Sequence, residues 1–252
     1  MKKDSLLKKN DLFNLQLNLY KCHIIISIML LSSSFFVFNS IFAQSSLNSP
    51  ASSSSSSSMI NSTQVETLYN TANNFYDNQK YDEALQYYDK VLAIDPSSVN
   101  ALNSKGLALD HLQRYDEAVQ TFDKALAIDP SSVNALNSKG LALDHLQKYD
   151  EALQFYDKAL AINPSSVSAL NNKGLALDHL QRYDEAVQTF DKALAINPSS
   201  VNALNNKGLA LEHLQKYDEA LQFYDKALSL DPSSIQALNG TSSILAELQK
   251  EG

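Results

Sequence analysis

Residues 99–132 read VNALNSKGLALDHLQRYDEAVQTFDKALAIDPSS, and nearly the same text returns at 133–166, 167–200 and 201–234. Pro96, Pro130, Pro164, Pro198 and Pro232 keep the beat, each followed by Ser-Ser. Val99–Ser132 and Val167–Ser200 differ at three positions, and Val133–Ser166 and Val201–Ser234 at five. A fixed period of 34 residues signals helix-turn-helix units stacked in a row, each too small to bury its apolar face alone. Any function must then reside on the surface that stacking creates.

Within the unit, Val99–Leu112 reads as a first helix, A. Leu102, Gly106 and Leu109 form its apolar stripe at i, i+4 and i+7. A second helix, B, runs from about Tyr115 to Ile128, with Tyr115, Ala118, Val119, Phe122, Ala125 and Leu126 on one side. Gly106 and Ala118 are the small residues expected where the helices touch. Ser131-Ser132 supplies an N-cap hydroxyl. Pro130 cannot donate to the helix before it and disfavours a helical Asp129. Two helices of about three turns each are too short to stand alone.

These residues resemble the tetratricopeptide repeat. That family's large apolar residue, Gly, apolar residue, Ala, aromatic, Ala and Pro fall here on Leu102, Gly106, Leu109, Ala118, Phe122, Ala125 and Pro130. They recur as Leu136, Gly140, Leu143, Ala152, Tyr156, Ala159 and Pro164, and again in the next two copies. Residues 65–98 match more loosely, through Leu68, Ala72, Phe75, Ala84, Tyr88, Val91 and Pro96. The resemblance implies an all-α fold over 64–252, a right-handed α-solenoid. It would hold five repeats (65–98, 99–132, 133–166, 167–200, 201–234) and a capping helix, 235–252, carrying Leu238 and Leu245. Two departures stand out. Leu102 and its counterparts replace a frequent Trp. Lys105 and its counterparts occupy a usually apolar offset, so their stems must pack while the ammonium reaches water.

Asn100, Asn103, Leu107 and Asp110 lie on the side of helix A away from its Leu stripe, with His111 at the edge. In the resembled fold this side lines a concave groove where extended peptides bind. The partner-binding candidates are therefore Asn100, Asn103, Leu107, Asp110, Asn137, Leu141, Asn171, Asn172, Leu175, Asn205, Asn206 and Leu209. Tyr69 and Tyr76 join them in the first repeat. Each Asn amide both donates and accepts, so a row of them suits a partner's backbone. Asn171-Asn172 and Asn205-Asn206 resemble the asparagine ladder of the O-linked N-acetylglucosamine transferase superhelix, although Ser104 and Ser138 interrupt the pattern. The other reading is a solvated helix face that Asn tolerates. On the groove reading, Asn103, Asn137, Asn171 and Asn205 are replaceable by Ala with the fold almost untouched. Tyr69 and Tyr76 read equally as a binding anchor, a role Tyr often fills, or as an end-cap of the stack. The chaperone-binding members hold a terminal carboxylate with Lys, Asn and Arg on this groove; Leu107 and its equivalents fill one of those positions, so that specificity is not carried over.

His111, His145, His179 and His213 share one position in successive repeats, about a helix diameter apart, too far for two to hold one zinc ion. They read as a solvated row. The Asp-Glu pair of each Tyr-Asp-Glu-Ala segment suits the positive end of helix B. No phosphate loop, metal cluster, cofactor motif or nucleophile–base pair is present in the sequence, which argues for a non-catalytic chain.

The net charge is −8, but five lysines against Asp4 and Asp11 give residues 1–43 a charge of +3 and leave −11 for the rest. So acidic a body argues against nucleic acid, whose phosphates demand a basic stripe, and against docking on anionic lipid. Ile24–Ala43 is uncharged and follows the lysines, and Ile41-Phe42-Ala43 resembles a signal-peptidase site. Twenty residues also suffice to cross a bilayer, so 1–43 is a signal peptide or an N-terminal membrane anchor. Either way the repeats are expected outside the cytoplasmic membrane. Cys22 precedes the apolar run and does not fit a lipoprotein signal. Residues 44–63, with Ser52–Ser58 unbroken, read as a Ser-rich flexible linker.

The whole reads as an extracytoplasmic interaction scaffold that binds a protein or extended peptide, with membrane contact only through an uncleaved N-terminal segment. The alternative is a structural array that self-associates. Tyr87, Phe155 and Phe223 recur every second repeat where Thr121 and Thr189 stand in the others, a stripe able to mediate stacking or to pack on the neighbouring repeat.

Overall fold

A computed structural model describes residues 53–251, with side chains from 62 to 250. It holds helices α1 (Ser53–Asp77), α2 (Tyr81–Ile94), α3 (Val99–His111), α4 (Tyr115–Ile128), α5 (Val133–His145) and α6 (Tyr149–Ile162). They are followed by α7 (Val167–His179), α8 (Tyr183–Ile196), α9 (Val201–His213), α10 (Tyr217–Leu230) and α11 (Ile235–Glu251). The chain divides into two units, Met1–Met59 and Ile60–Gly252. Of the first, only Ser53–Met59 is described, and it is helical. The second is an α-solenoid, and all that follows concerns it.

The linker expectation needs correction. Ser53–Thr63 is part of α1. Once Val65–Asp77 is helical, each further residue adds one hydrogen bond without a new nucleus. Thr67 and Thr71 return their hydroxyls to the Thr63 and Thr67 carbonyls at 2.8 Å. Residues 1–52, with Cys22 and the apolar segment 24–43, lie outside the described residues. Among the described residues no helix is long and apolar enough to cross a membrane.

Each unit is bounded by local chemistry. Ser98, Ser132, Ser166, Ser200 and Ser234 accept the backbone N–H three residues on, capping the next helix A. The preceding Ser97 and its equivalents donate to Asp95, Asp129, Asn163, Asn197 and Asp231, folding the Pro-Ser-Ser turn. At the A–B turn, Gln113 N–H reaches the Asp110 carbonyl and Arg114 N–H the Leu109 carbonyl, both at 2.9 Å. That is the Schellman arrangement, which needs a left-handed residue. Gln79, Gln113, Gln147, Gln181 and Gln215 supply it at φ of 58–60°.

The helix crossing is set by one aromatic side chain per repeat. Tyr88, Phe122, Tyr156, Phe190 and Tyr224 are completely or almost completely buried. A Cβ on Gly106 would stand 2.5 Å from the Phe122 ring, and one on Gly140 2.5 Å from the Tyr156 ring. So the helix A glycine faces the aromatic of helix B rather than Ala118. Each helix A also packs on the preceding helix B and on the neighbouring helices A. Ala101, Ala108 and their equivalents are fully buried at those junctions.

Gly140→Ala tests this crossing because two effects oppose. Alanine is about 1 kcal/mol the better helix former, whereas forcing a methyl into a filled core costs about 1–3 kcal/mol. Since a methyl on Gly140 would meet the fully buried Tyr156 ring at 2.5 Å, the loss should outweigh the gain and leave the variant up to about 2 kcal/mol less stable by urea unfolding. Equal stability would mean that the ring moves aside freely.

Candidate functional site

The face of helix A opposite its Leu stripe is where the sequence places a partner. Asn100 is exposed there, and Asn103, Leu107, Asp110, Asn137, Leu141, Asn171, Asn172, Leu175 and Leu209 are partly buried. Asn205 and Asn206 are not available. Both are buried, because α11 packs over α9. Asn205 donates to the Ser234 hydroxyl at 2.9 Å, and Gln236 of α11 donates to Asn206 at 2.9 Å. These two positions are corrected from groove residues to cap contacts.

The Asn row is a set of rungs between repeats. Asn172 donates to Asn137 at 3.2 Å and Asn206 to Asn171 at 3.0 Å. Each rung joins the first Asn of one repeat to the second Asn of the next, 35 residues on. The same offset joins Tyr69 to Ser104 at 3.0 Å. Where the second Asn is missing, the rung fails. Ser138 stands 35 residues beyond Asn103, and the buried Asn103 carbonyl oxygen has no partner. Replacing the Asn set by Ala would therefore remove contacts that tie repeats together, contrary to the expectation of an untouched fold.

The histidines are exposed, as a solvated row would be, and each also has a partner in the preceding repeat. His111, His145, His179 and His213 lie on Tyr81, Tyr115, Tyr149 and Tyr183 of the preceding helix B, with ring centres 4.6–4.8 Å apart. His145 meets Asp110 at 3.0 Å and His213 meets Asp178 at 3.1 Å. Those two rings tilt by 48° and 46° from their tyrosines, whereas His111 and His179 lie nearly flat at 3° and 20°. Among the described residues no group of three or more His, Cys, Asp and Glu is placed to hold a metal ion. The tyrosine partners were missed in the sequence, although the 30-residue Tyr–His interval recurs in every repeat.

The lysines expected to snorkel are instead clamped across repeats. Lys105 and Lys173 bond Asp89 and Asp157 at 2.5 and 2.6 Å, Lys207 bonds Asp191 at 2.5 Å, and Lys139 bonds Asp123. Lys139 and Lys207 also cover the Phe155 and Phe223 rings at 4.1 and 4.0 Å. The alternate aromatics thus pack inside the array. Tyr87 stacks on Phe75 at 5.2 Å under the Lys90 ammonium.

At the first junction, Tyr76 packs edge-on against Tyr81 and His111 at 5.4 and 5.5 Å. Burial raises its pKa, helped by Tyr81 and Asp110. Tyr69 borders an open hollow of about 410 Å³ with Val65, Glu66, Ile94 and Asn100.

One buried pair between helices A and B is chemically unsettled. Tyr224 donates to Glu212 at 3.0 Å. The matching pair in the third repeat is Tyr156 and Asp144, one methylene shorter, and there both the phenol and a carboxylate oxygen are buried without a partner. Burial pushes the Asp144 pKa above its usual 3.8, against the pull of His179 and His145. Burial likewise raises Tyr156.

Asp144→Glu should restore the missing bond and stabilise the array by about 0.5–1.5 kcal/mol. Asp144→Asn tests the charge. A raised folded pKa means that the folded chain holds the proton more tightly, so the Asp144 contribution falls as pH rises from 3.8 through the folded value. The Asn variant should therefore melt higher than the parent at about pH 7, with the advantage gone near pH 3. Thermal melts at both pH values check the sign.

The comparisons agree with this geometry. The Tetratricopeptide repeat family matches residues 69–133 and 173–235, and further models of the same description match 133–166 and 155–188. Among solved structures, YrrB, described as a TPR protein with an unusual peptide-binding site, is 26% identical, with a TM-score of 0.56. The match covers 69% of this chain and 90% of YrrB. MamA is 25% identical at a TM-score of 0.57, over 67% of this chain and 92% of its own. A thermophilic TPR protein of Thermus thermophilus, TTC0263, at 20% identity and a TM-score of 0.63, covers 72% and 99% and shares the fold. Among curated proteins none matches. With its repeats, capped turns and Gly–aromatic crossings in place, this chain belongs to the tetratricopeptide repeat family.

Proposed function

We propose that the chain is a non-catalytic scaffold that binds an extended peptide or protein segment along the open face of its A helices, outside the cytoplasmic membrane. The observation that carries the reading is the row Leu107, Leu141, Leu175 and Leu209. These apolar side chains recur every 34 residues and stay partly open after all neighbouring helices have packed. Exposed Asn100, Asn134 and Asn202 run beside them. With the inner Asn side chains engaged in rungs, the leucines supply the affinity and the outer amides the direction. The hollow beside Tyr69 gives the partner a place to start. A family whose fold suits protein interaction supports the reading, as does the peptide-binding site named for YrrB. The extracytoplasmic placement rests on the lysines that precede Ile24–Ala43.

Leu141→Asp with Leu175→Asp should weaken a captured partner by at least about 30-fold, since two apolar contacts of about 1 kcal/mol or more each are lost. The convex set Gln120, Gln154, Gln188 and Gln222 changed to Ala should leave binding intact. Titration calorimetry against the partner recovered from the envelope fraction reads both. Loss of binding in the Gln set alone would move the site to the helix B face. Protease added to intact cells should cut the repeats; complete protection would sink the placement.

A further inference from the structure

Alternate repeats build the same place on helix B in two ways, and one shows what the other leaves open. In the third repeat the Phe155 ring lies 4.1 Å from the Lys139 ammonium and 4.8 Å from that of Lys158. Phe223 lies 4.0 Å from Lys207 in the same manner. Thr121 and Thr189 hold this position in the other repeats. Their hydroxyls turn back on their own helix, to the Glu117 and Glu185 carbonyls. Beside Thr121 is an open hollow of about 370 Å³, lined by Leu85 and Leu109 and by Lys105 and Lys124. Those lysines are the counterparts, one repeat earlier, of the two that flank the Phe155 ring. Leu85 stands where the Phe155 junction has Val119, and the hollow persists beside it. All eleven residues that line it recur in kind 68 residues on, around Thr189.

We infer that the hollows beside Thr121 and Thr189 each receive an aromatic side chain of a partner polypeptide, seated as this chain seats its own Phe155 and Phe223. Space permits it, since a cavity of about 150 Å³ already accepts benzene. The electrostatics are in place. Lys105 has its charge met by Asp89 at 2.5 Å, and its ammonium is free to cover a ring face as Lys139 does. The Lys105 side chain is 25% exposed against 11% for Lys139, the difference a ring would close. Exposed Gln86 and Gln120 stand at the walls. Their amides donate and accept, which suits the backbone on either side of an aromatic residue and points to a polypeptide rather than a free ring. The two hollows are two repeats apart, about 20 Å, which an extended chain spans in about six residues. Lys105 and Leu109 lie on the opposite side of α3 from Leu107, so this site stands apart from the groove.

The test titrates the full chain in maltoside micelles with N-acetyl-4-fluorophenylalanine amide, followed by fluorine NMR. Leu85→Val with Thr121→Phe creates the filled junction that the chain already has at Val119 and Phe155. This variant should keep its helical circular dichroism and lose about half of the bound signal. Adding Leu153→Val with Thr189→Phe should abolish the signal. On the parent chain, the cyclohexylalanine analogue, which lacks the π face, should bind at least about fivefold more weakly. A peptide with two phenylalanines about six residues apart should bind at least about tenfold more tightly than one with a single phenylalanine. Leu141→Asp with Leu175→Asp should leave the bound signal unchanged, which separates this site from the groove. An undiminished signal in the fully filled variant, or equal binding of the cyclohexyl analogue, would overturn the site. Amide binding as tight as that of both peptides would make the occupant a small aromatic molecule and overturn the polypeptide partner.

Discussion

Close approach of two helices over a missing side chain governs this molecule. In every full repeat after the first, helix A presents Gly at the point where helix B inserts a Phe or Tyr ring, and there is no room for a methyl group between them. The ring is fully or almost fully buried, as is the alanine four positions before it on helix B. Because the crossing is this tight, helix A is thin enough to be shared. One side takes its own helix B, another takes the preceding repeat through Ala101 and Ala108, and what remains becomes the open face. A short helix pair that could not persist alone gains its stability from those neighbours.

Near-identical repeats do not make identical junctions. The alternate sequence of Thr121 and Phe155 at one helix B position changes what happens to the lysine of the same repeat. Lys139 and Lys207, roofing a phenyl ring, are nearly buried, whereas Lys105 and Lys173 keep about a quarter of their side chains in water. The same alternation separates the histidines that reach an aspartate from those that lie flat on tyrosine. An exposed ion pair contributes little, but a lysine held between a carboxylate and an aromatic face loses less to solvent. The physical unit of the array is thus a pair of repeats, 68 residues long, as the closer likeness of alternate copies suggests.

The fold was legible because its determinants are local. Pro130, Ser132, Gly106 and the 3–4 spacing of leucines act within one repeat, and helix B was read to the residue at both ends. The open face was less legible because its hydrogen bonds cross between repeats at an offset of 35 instead of 34. Periodicity lines up Asn137 with Asn171, yet the residue Asn137 meets is Asn172. A motif search aligned on equivalent positions is blind to a partner one residue further along. The burial of Asn205 and Asn206 was likewise hidden, because it arises from α11, whose text departs from the repeat. The serine tract misled for another reason: composition describes a chain in isolation, whereas Ser53–Thr63 extends an existing helix.

What the rungs remove from the open face also defines what a partner can use there. Asn137, Asn171, Asn172 and Asn206 spend an amide group on each other, and Asp110 and Asp178 spend a carboxylate oxygen on histidine. Such groups rigidify the face rather than reach outward, and a rigid face costs a ligand less ordering when it binds. The remaining free chemistry is a line of partly open leucines, an edge of exposed Asn, and an acidic balance. On the proposed reading this favours an extended segment with alternate apolar side chains and few carboxylates of its own. In the third repeat the unpartnered Asp144 carboxylate oxygen and Tyr156 phenol are buried, out of a ligand's reach, so what they lack is a cost to the fold and not a contact for the partner.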